Sequence, residues 1–281
     1  MIPAEFDYAA PKTLDEAISM LADGGEDAKL LAGGHSLIPL MKLRLAAPSL
    51  LIDLRKVPGL HGIQREGGNW RIGAMTPHVD VERSPDLGLL SRVAGTIADP
   101  QVRSRGTIGG SLAHGDPASD LPGVVLIAEG SVTVKGSGGQ RTVKASDLFR
   151  DYLETALEPG EVLTEVRIPA FDGWGYSYQK FNRRSEDWAM VAVSAMGKQT
   201  GDTCEDVRVG LTNMAGVPLR AHAVEDALRG QRLSNDAIAE AAEHASDGTD
   251  PPADLNASSD YKRHLAGVLC RRALQEAAGL A

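Results

Sequence analysis

The chain has 281 residues, of which 42% are hydrophobic and 24% are charged, and its formal net charge is −9. This length predicts one large or two ordinary globular domains with a sizeable core. A chain with a pI near 5.3 lacks the positive surface that nucleic acids or anionic membranes attract, which excludes nucleic acid as an expected partner.

No membrane-directing segment stands out in the sequence. No apolar run approaches the roughly 18 residues of a transmembrane segment. Residues 1–7 lack the basic and apolar regions of a secretory signal. We therefore expect a cytoplasmic protein, with association to the inner face of the membrane left open.

The two cysteines exclude two kinds of metal centre within this chain. Cys204 and Cys270 lie 66 residues apart, without cysteine or histidine partners at metal-ligand spacing. An iron–sulfur cluster needs about four cysteine ligands, and structural zinc needs a comparable set. Any redox centre must then be an organic cofactor or lie in another chain, and we predict no metal site here.

The first fifty-odd residues predict a small β–α–β unit. Thr13 and Glu16 form a capping box before a helical stripe of apolar residues that ends at Gly24-Gly25. Short apolar runs predict buried strands over 28–32 and 50–54, with a helix over 37–43 between them.

The next hundred residues mix strands and helices. Alternation and apolar runs predict strands over 70–74, 131–134, 141–143 and 161–169, helices over 76–83 and 87–98, and an apolar element of unassigned type over 121–128. The stretch 136–139 (Gly-Ser-Gly-Gly) predicts a hairpin turn.

A boundary is expected at 169–175, which is rich in proline, glycine and aromatic residues. Beyond it we predict antiparallel strands over 176–181, 188–196 and 207–211, and then helices over 221–229, 234–245 and 261–278. Ser259 or Asp260 is expected to cap the last helix, which should present one face made of Tyr261, Leu265, Val268 and Leu269.

Two glycine-bearing loops carry most of the functional information. The first is Leu31-Ala32-Gly33-Gly34-His35-Ser36, and the second is Thr107-Ile108-Gly109-Gly110-Ser111. Paired glycines let main-chain N–H groups approach a ligand closely, and consecutive N–H groups form an anion-binding concavity. A tight strand-to-helix turn explains the first loop about equally well. Two such loops, the second followed by His114, Asp116 and Asp120, favour a dinucleotide held from two sides.

Other polar residues near these loops have plainer interpretations. His114 and Asp116 can be a catalytic pair or metal ligands, but a hydrogen-bonded turn is the commoner arrangement. Arg103 and Arg105 can bind phosphate, although exposed loop arginines usually do not. Asp187-Trp188 can form an interface or a turn facing a flavin. No Ser–His–Asp or Cys–His arrangement is visible, so a hydrolase has little support.

With their spacing, these loops and the segment 115–122 (Gly-Asp-Pro-Ala-Ser-Asp-Leu-Pro) resemble the FAD-binding medium subunits of molybdenum hydroxylases. The resemblance covers the whole chain and implies an α+β fold. It implies a two-subdomain FAD-binding domain of the vanillyl-alcohol-oxidase/PCMH-like type over 1–172, divided at residues 55/56. A small flavoprotein C-terminal domain with an antiparallel sheet and helices would span 175–281.

The resemblance also implies which residues bind FAD. The two loops would hold the diphosphate and ribityl regions, Asp120 would bind sugar-alcohol hydroxyls, and Leu163 and Ile97 would make apolar contacts. Lys180 would lie by the flavin, with Gln179 as the competing register. The complete set is Leu31, Ala32, Gly33, Gly34, His35, Ser36, Leu37, Ile97, Gly106, Thr107, Ile108, Gly109, Gly110, Ser111, Asp120, Leu163 and Lys180. Ser111 departs from the family, in which many members have Asn.

The implied role is electron transfer, with no catalytic side chain in this subunit. In such a family, 2Fe–2S clusters belong to a small partner subunit and the molybdenum cofactor to a large one, and the complex is expected to be a dimer of heterotrimers. FAD would pass electrons to a quinone or NAD. The amino-acid sequence of the loops most resembles the carbon monoxide dehydrogenase branch of the family. N-heterocycle or aldehyde hydroxylases (xanthine dehydrogenase-like) are the alternative.

Two hypotheses from other classes remain. One is a stand-alone FAD-dependent oxidase or reductase, in which His35 is the obvious residue for a covalent link to the flavin. The other is a non-enzymatic assembly module that has lost its cofactor, which the intact glycines disfavour.

Overall fold

The computed structural model describes residues 2–281 and begins with a three-stranded parallel sheet. Its elements are β1 (Asp7–Ala9), α1 (Leu14–Gly24), β2 (Ala28–Leu31), α2 (Leu37–Lys42) and β3 (Leu50–Asp53). Strand β3 lies in the centre, between β1 and β2. Thr13 caps α1, accepting from the Glu16 N–H at 3.2 Å. The predicted β–α–β unit is therefore present, with β1 as an additional strand.

A five-stranded antiparallel sheet follows. Its strands are β4 (Ile63–Glu66), β5 (Asn69–Gly73), β6 (Ser131–Gly136), β7 (Gly139–Lys144) and β10 (Val162–Pro169), and a separate two-stranded sheet joins β8 (Phe149–Asp151) to β9 (Glu154–Thr155). The order β4-β5-β10-β6-β7 puts β10 in the middle. This central place explains why 161–169 is the most strand-like stretch of the sequence.

Short helices pack around this sheet. They are α3 (His78–Glu82), α4 (Leu89–Ala94), α5 (Pro100–Arg103), α6 (Ile108–His114), α7 (Asp120–Ile127) and α8 (Ala145–Leu148). The helix predicted over 87–98 is wrong beyond Ala94. There the chain turns through Ala98, which has a φ of +43°, and Asp99 caps α5 by accepting from the Val102 N–H.

The last hundred residues form a four-stranded antiparallel sheet and three helices. The elements are β11 (Gly175–Phe181), β12 (Val191–Thr200), β13 (Thr203–Thr212), β14 (Leu219–Arg220), α9 (His222–Leu228), α10 (Asn235–Ala242) and α11 (Ser259–Ala277). Ser258 caps α11, one position before the predicted cap. Its buried face includes Lys262 and Cys270, whereas Tyr261 is exposed. Of the four residues expected on one face, Leu265 and Leu269 are buried and Val268 is partly buried, but Tyr261 is exposed.

The C-terminal sheet lies between two layers of helices. Helix α7 packs on β12 and β13 from one side, and α11 packs on β11 and β12 from the other. Tyr178 and Met196, from this sheet, belong to the same hydrophobic core as Leu121 and Val125 of α7. This sharing fixes β11 beside the elements that carry the glycine loops. Across residues 2–281, no helix is long and apolar enough to cross a membrane.

Candidate functional site

The first glycine loop connects β2 to α2 and leaves its main-chain donors free. Gly34 has a φ of +80°, a conformation that favours glycine. Within residues 2–281, no main-chain carbonyl accepts a hydrogen bond from the N–H groups of Gly33, Gly34, His35 or Ser36. Four successive unpaired donors form the type of concavity that binds an anion.

The second glycine loop is built differently, because most of its N–H groups are used inside the protein. Thr107 caps α6, and its Oγ1 accepts from the Gly110 N–H at 3.1 Å. The N–H groups of Ile108 and Gly109 donate to the carbonyls of Thr76 and Ala74. What this loop offers to a ligand is therefore a main-chain surface without side chains at Gly109 and Gly110, together with the Ser111 hydroxyl.

The two loops touch at Gly33. A Cβ on Gly33 would lie 2.4 Å from the carbonyl oxygen of Arg105 and 2.7 Å from the Cα of Gly106. Both neighbours are main-chain atoms, so neither can move aside without a shift of its loop. Glycine at position 33 thus sets the distance between the two loops.

A cavity of about 620 Å³ opens beside the loops. This volume is within the roughly 300–1,000 Å³ typical of small-molecule sites. The predicted site residues that line it are Ala32, Gly33, Gly34, His35, Ser36, Leu37, Ile97, Gly106, Thr107, Gly109, Gly110, Ser111, Asp120, Leu163 and Lys180. Leu31 and Ile108 do not line it. Ile108 is fully buried in the core, and the Leu31 side chain lies behind Gly34.

Asp120 and Lys180 form a buried ion pair at the cavity wall. The Lys180 Nζ lies 3.0 Å from Asp120 Oδ2, and the Tyr178 hydroxyl donates to Asp120 Oδ1 at 2.5 Å. Burial raises the pKa of Asp120, while the Lys180 charge and the Tyr178 hydrogen bond oppose that rise. Because α7 carries Asp120 and β11 carries the other two, the pair joins the two halves of the chain at the site.

The structure separates Lys180 from its competitor. The Gln179 amide donates to Glu276 on α11 at 2.8 Å and does not line the cavity. Neighbouring residues of a strand point to opposite faces, so only one of the two can face the cavity.

Ile97 reaches the cavity through a turn that Arg103 holds. The Arg103 guanidinium donates to the carbonyls of Ile97 and Ala98 at 2.9 and 3.2 Å and pairs with Glu82 at 2.9 Å. The hypothesis that Arg103 binds phosphate is therefore not supported by this geometry, since its donors are engaged within the protein.

The remaining candidate residues, His114, Asp116 and the two cysteines, show no catalytic or metal-binding arrangement within residues 2–281. Asp116 accepts from the Ala118 N–H at 2.8 Å, which is the hydrogen-bonded turn, and His114 lines the cavity. Within residues 2–281, no cluster of three potential metal ligands occurs. The free thiols of Cys204 and Cys270 are buried, and burial raises the pKa of Cys270 to about 12.

Sequence reasoning missed several cavity residues. His78 lies beneath the second loop, Met75 and Leu153 contribute apolar surface, and Trp188 lies at the cavity with 55% of its surface exposed. Of these, Trp188 belongs to the Asp187-Trp188 turn that the sequence already offers as one facing a flavin, whereas nothing in the spacing of Thr76-Pro77-His78 signals a site.

Comparison with known proteins agrees with this geometry. A family model described as the FAD binding domain in molybdopterin dehydrogenase matches residues 4–171, and the CO dehydrogenase flavoprotein C-terminal domain matches residues 176–277. The carbon monoxide dehydrogenase medium chain of Hydrogenophaga pseudoflava is 44% identical, covering 99% of this chain and 98% of its own length. The nicotine 6-hydroxylase medium subunit of Paenarthrobacter nicotinovorans is 38% identical over 96% of each.

A solved structure gives the same result for the fold. The carbon monoxide dehydrogenase from Hydrogenophaga pseudoflava that lacks the Mo-pyranopterin moiety superposes with a TM-score of 0.97 at 45% identity, and both chains are covered completely. Family models over both parts of the chain and full-length relatives agree. This chain therefore belongs to the FAD-binding medium subunits of the molybdenum hydroxylases, a family of multi-subunit oxidoreductases.

Proposed function

We propose that this chain is the FAD-carrying subunit of an aerobic carbon monoxide dehydrogenase. It would receive electrons from the 2Fe–2S clusters of a small subunit. Those clusters would in turn receive electrons from a large molybdopterin subunit. The 44% identity to a carbon monoxide dehydrogenase medium chain supports this branch. The two cysteines support the division of labour, because they cannot ligate a cluster within this chain.

The observation that carries the proposal is the row of four free N–H groups beside a cavity of dinucleotide size. A diphosphate needs several hydrogen-bond donors at short range. The main-chain N–H groups of the first loop supply such donors, and the two glycines have no side chain that would keep the ligand away. Glycine at position 33 keeps the second loop next to these donors, because a Cβ there would enter that loop.

Each residue would then have a definite task. The first loop would bind the diphosphate, the Asp120 carboxylate would accept from sugar-alcohol hydroxyls, and Ile97 and Leu163 would give apolar contact. Lys180 would hold Asp120 in place through their ion pair. Bound FAD supplies a redox centre that can exchange electrons singly with clusters and in pairs with an acceptor.

The experiment is to produce the chain together with its small and large partner subunits and to purify the complex from the cytoplasmic fraction. We expect a yellow complex with one FAD per copy of this chain, a mass corresponding to a dimer of heterotrimers, and carbon monoxide-dependent reduction of a quinone or NAD. A complex that contains FAD but is not reduced by carbon monoxide would contradict the proposed substrate and leave the electron-transfer role intact.

A second candidate is the medium subunit of an N-heterocycle hydroxylase, which the 38% identity to a nicotine 6-hydroxylase subunit supports. The same preparation discriminates the two, because nicotine or a purine would then reduce the flavin where carbon monoxide does not.

Acid precipitation tests the stand-alone flavoenzyme. We expect FAD to be released into the supernatant, because His35 is exposed at the cavity and the proposed binding needs no covalent bond. Flavin retained on the pellet would favour an oxidase with a His35 link. A flat flavin titration of the intact chain would favour a module without cofactor.

A further inference from the structure

His78 is buried beneath the second glycine loop and has one unpaired ring nitrogen. Its side chain is 3% exposed, and the Nδ1 atom has no hydrogen-bond partner within the described residues. The other ring nitrogen, Nε2, lies 3.3 Å from the Ser111 Oγ. A buried polar atom without a partner is costly, so this arrangement calls for an explanation.

The backbone holds the ring firmly in this place. The His78 N–H donates to the Gly106 carbonyl at 2.9 Å, and the Ile108 N–H donates back to the Thr76 carbonyl at 3.1 Å. A Cβ on Gly106 would lie 2.8 Å from the ring carbon Cδ2. The imidazole therefore lies directly against the second loop, in a space that glycine at 106 leaves for it.

Burial decides the protonation of the ring. It lowers the pKa of His78 to about 4, and electrostatic interactions with the nearby His35 and Arg103 act in the same direction. The ring is therefore neutral near pH 7 and carries one proton. On Nδ1 that proton would be a buried donor without an acceptor, a rarer and costlier arrangement than an unpaired acceptor. The proton accordingly belongs on Nε2.

This tautomer determines what Ser111 can do. If Nε2–H donates, the Ser111 Oγ accepts, and the hydroxyl proton of Ser111 is free to point elsewhere. Ser111 lines the cavity, and its Oγ makes no other hydrogen bond within residues 2–281. Since most N–H groups of the second loop are engaged, this hydroxyl is a principal donor that the loop can offer to a ligand.

We propose that His78 is a positioning residue for the cofactor: its Nε2–H donates to Ser111 Oγ and thereby directs the Ser111 hydroxyl to donate to an oxygen of bound FAD. The inference rests on the proposed function of the cavity. It assigns to His78, at the cavity wall beneath the second loop, a role that it exerts through Ser111.

A double-mutant cycle on the full chain tests this, with the FAD dissociation constant measured by titration of the flavin-free protein. We expect Ser111→Ala and His78→Phe each to weaken FAD binding about tenfold, the effect of one hydrogen bond to a polar or charged ligand. The double variant should be no more than about twofold weaker than Ser111→Ala alone, because His78 acts through Ser111.

Rescue variants separate positioning from packing. His78→Gln keeps a donor and should retain most of the affinity. Ser111→Asn brings its own N–H donors, so adding His78→Phe to it should cost less than about twofold. His244→Gln, at an exposed histidine, is the matched control, and the melting temperature of each flavin-free variant reports whether the fold is intact.

Three outcomes would overturn the inference. Multiplied losses in the double variant would mean that His78 contributes to binding independently of Ser111. A loss in Ser111→Ala without one in His78→Phe would leave the cavity assignment standing and remove the role of His78. Unchanged affinity in Ser111→Ala would show that the Ser111 hydroxyl does not bind FAD, whereas failure of the unmodified chain to bind FAD would instead contradict the proposed function.

Discussion

Lys262 is a charged side chain with no exposed surface, and a single carboxylate compensates its charge. Its Nζ lies 2.8 Å from the carboxylate of Asp254, in the loop that precedes α11. Removing the Asp254 carboxylate would leave the buried Lys262 charge uncompensated, whereas removing Lys262 would leave a carboxylate that is 37% exposed and can be hydrated. The two residues of the pair are therefore not equivalent as targets for substitution.

We expect Asp254→Asn to lower the free energy of unfolding by about 2–3 kcal/mol, somewhat below the range for fully buried pairs because Asp254 itself is partly exposed. Lys262→Met should cost less than about 1 kcal/mol. Urea unfolding of both variants checks this, and equal losses would contradict the asymmetry.

His78 provides a second prediction at this scale, in its dependence on pH. Its pKa in the folded chain is about 4, below the ordinary value of 6.5, so between these values the unfolded chain binds a proton that the folded chain does not. The flavin-free protein should lose up to about 3 kcal/mol of stability as the pH falls from 6.5 to 4. Comparing denaturation curves with those of His78→Gln isolates this contribution. Parallel pH profiles would show that the pKa of His78 is the same in the folded and unfolded chains, and would contradict the lowered value.

The contact between the two glycine loops shows how one loop restricts which residue its neighbour can carry. Gly33→Ala places a methyl group against the main chain of Arg105 and Gly106, which must shift. We expect at least a tenfold loss in FAD affinity with a smaller change in melting temperature, because the loops border a cavity and not the core. Gly68→Ala is the matched control, since a Cβ at that exposed position meets nothing within 4 Å. A normal affinity in Gly33→Ala would show that the loops can separate freely.

Element by element, the sequence was a good guide where a local pattern decided the structure. The helix cap at Thr13, the hairpin after β6 and the apolar strand β10 depend on neighbours in the sequence, and all three occur as expected, although the Glu16 carboxylate accepts from the Lys12 N–H and not from that of Thr13. The end of α4, the buried face of α11 and the place of His78 depend on distant partners. The spacing of residues in the sequence does not predict that Lys262 pairs with Asp254. Nor does it predict that residues 76–78 form hydrogen bonds with residues 106–108.

The glycine loops illustrate both situations. Their identity as two turns beside a cavity could be predicted from composition and spacing. Which loop retains free N–H groups could not, because the donors of the second loop are used by the carbonyls of Ala74 and Thr76, thirty residues earlier in the chain.

At the scale of the whole molecule, one hydrophobic core is shared between the two family domains, and a second lies within the C-terminal domain. Tyr178, Ala192 and Met196 of the C-terminal sheet pack with α4 and α7 of the preceding domain. Arg208 adds a further tie, because its guanidinium donates to the Ile127 carbonyl and lies over the rings of Phe171 and Trp174. The halves therefore depend on each other for burial.

We expect thermal unfolding of the chain to be a single transition, coincident by calorimetry and by tryptophan fluorescence, because one core contains residues from both halves. Arg208→Ala should lower the melting temperature of both probes together. Two separated transitions in the unmodified chain would indicate that the shared core contributes little.

The free N–H groups of the first loop have a consequence for ionic strength. This chain carries a net charge of −9 and is proposed to bind an anionic cofactor, yet the donors at the loop are dipoles without net charge. The buried cation of the cavity, Lys180, is already neutralised by Asp120. Salt screens attraction between net charges far more than short hydrogen bonds inside a cavity. Raising sodium chloride from 0.05 to 0.5 M, a range chosen to shorten the Debye length about threefold, should therefore change the FAD dissociation constant less than about threefold. A steep loss of affinity would instead reveal long-range attraction by exposed lysines and arginines.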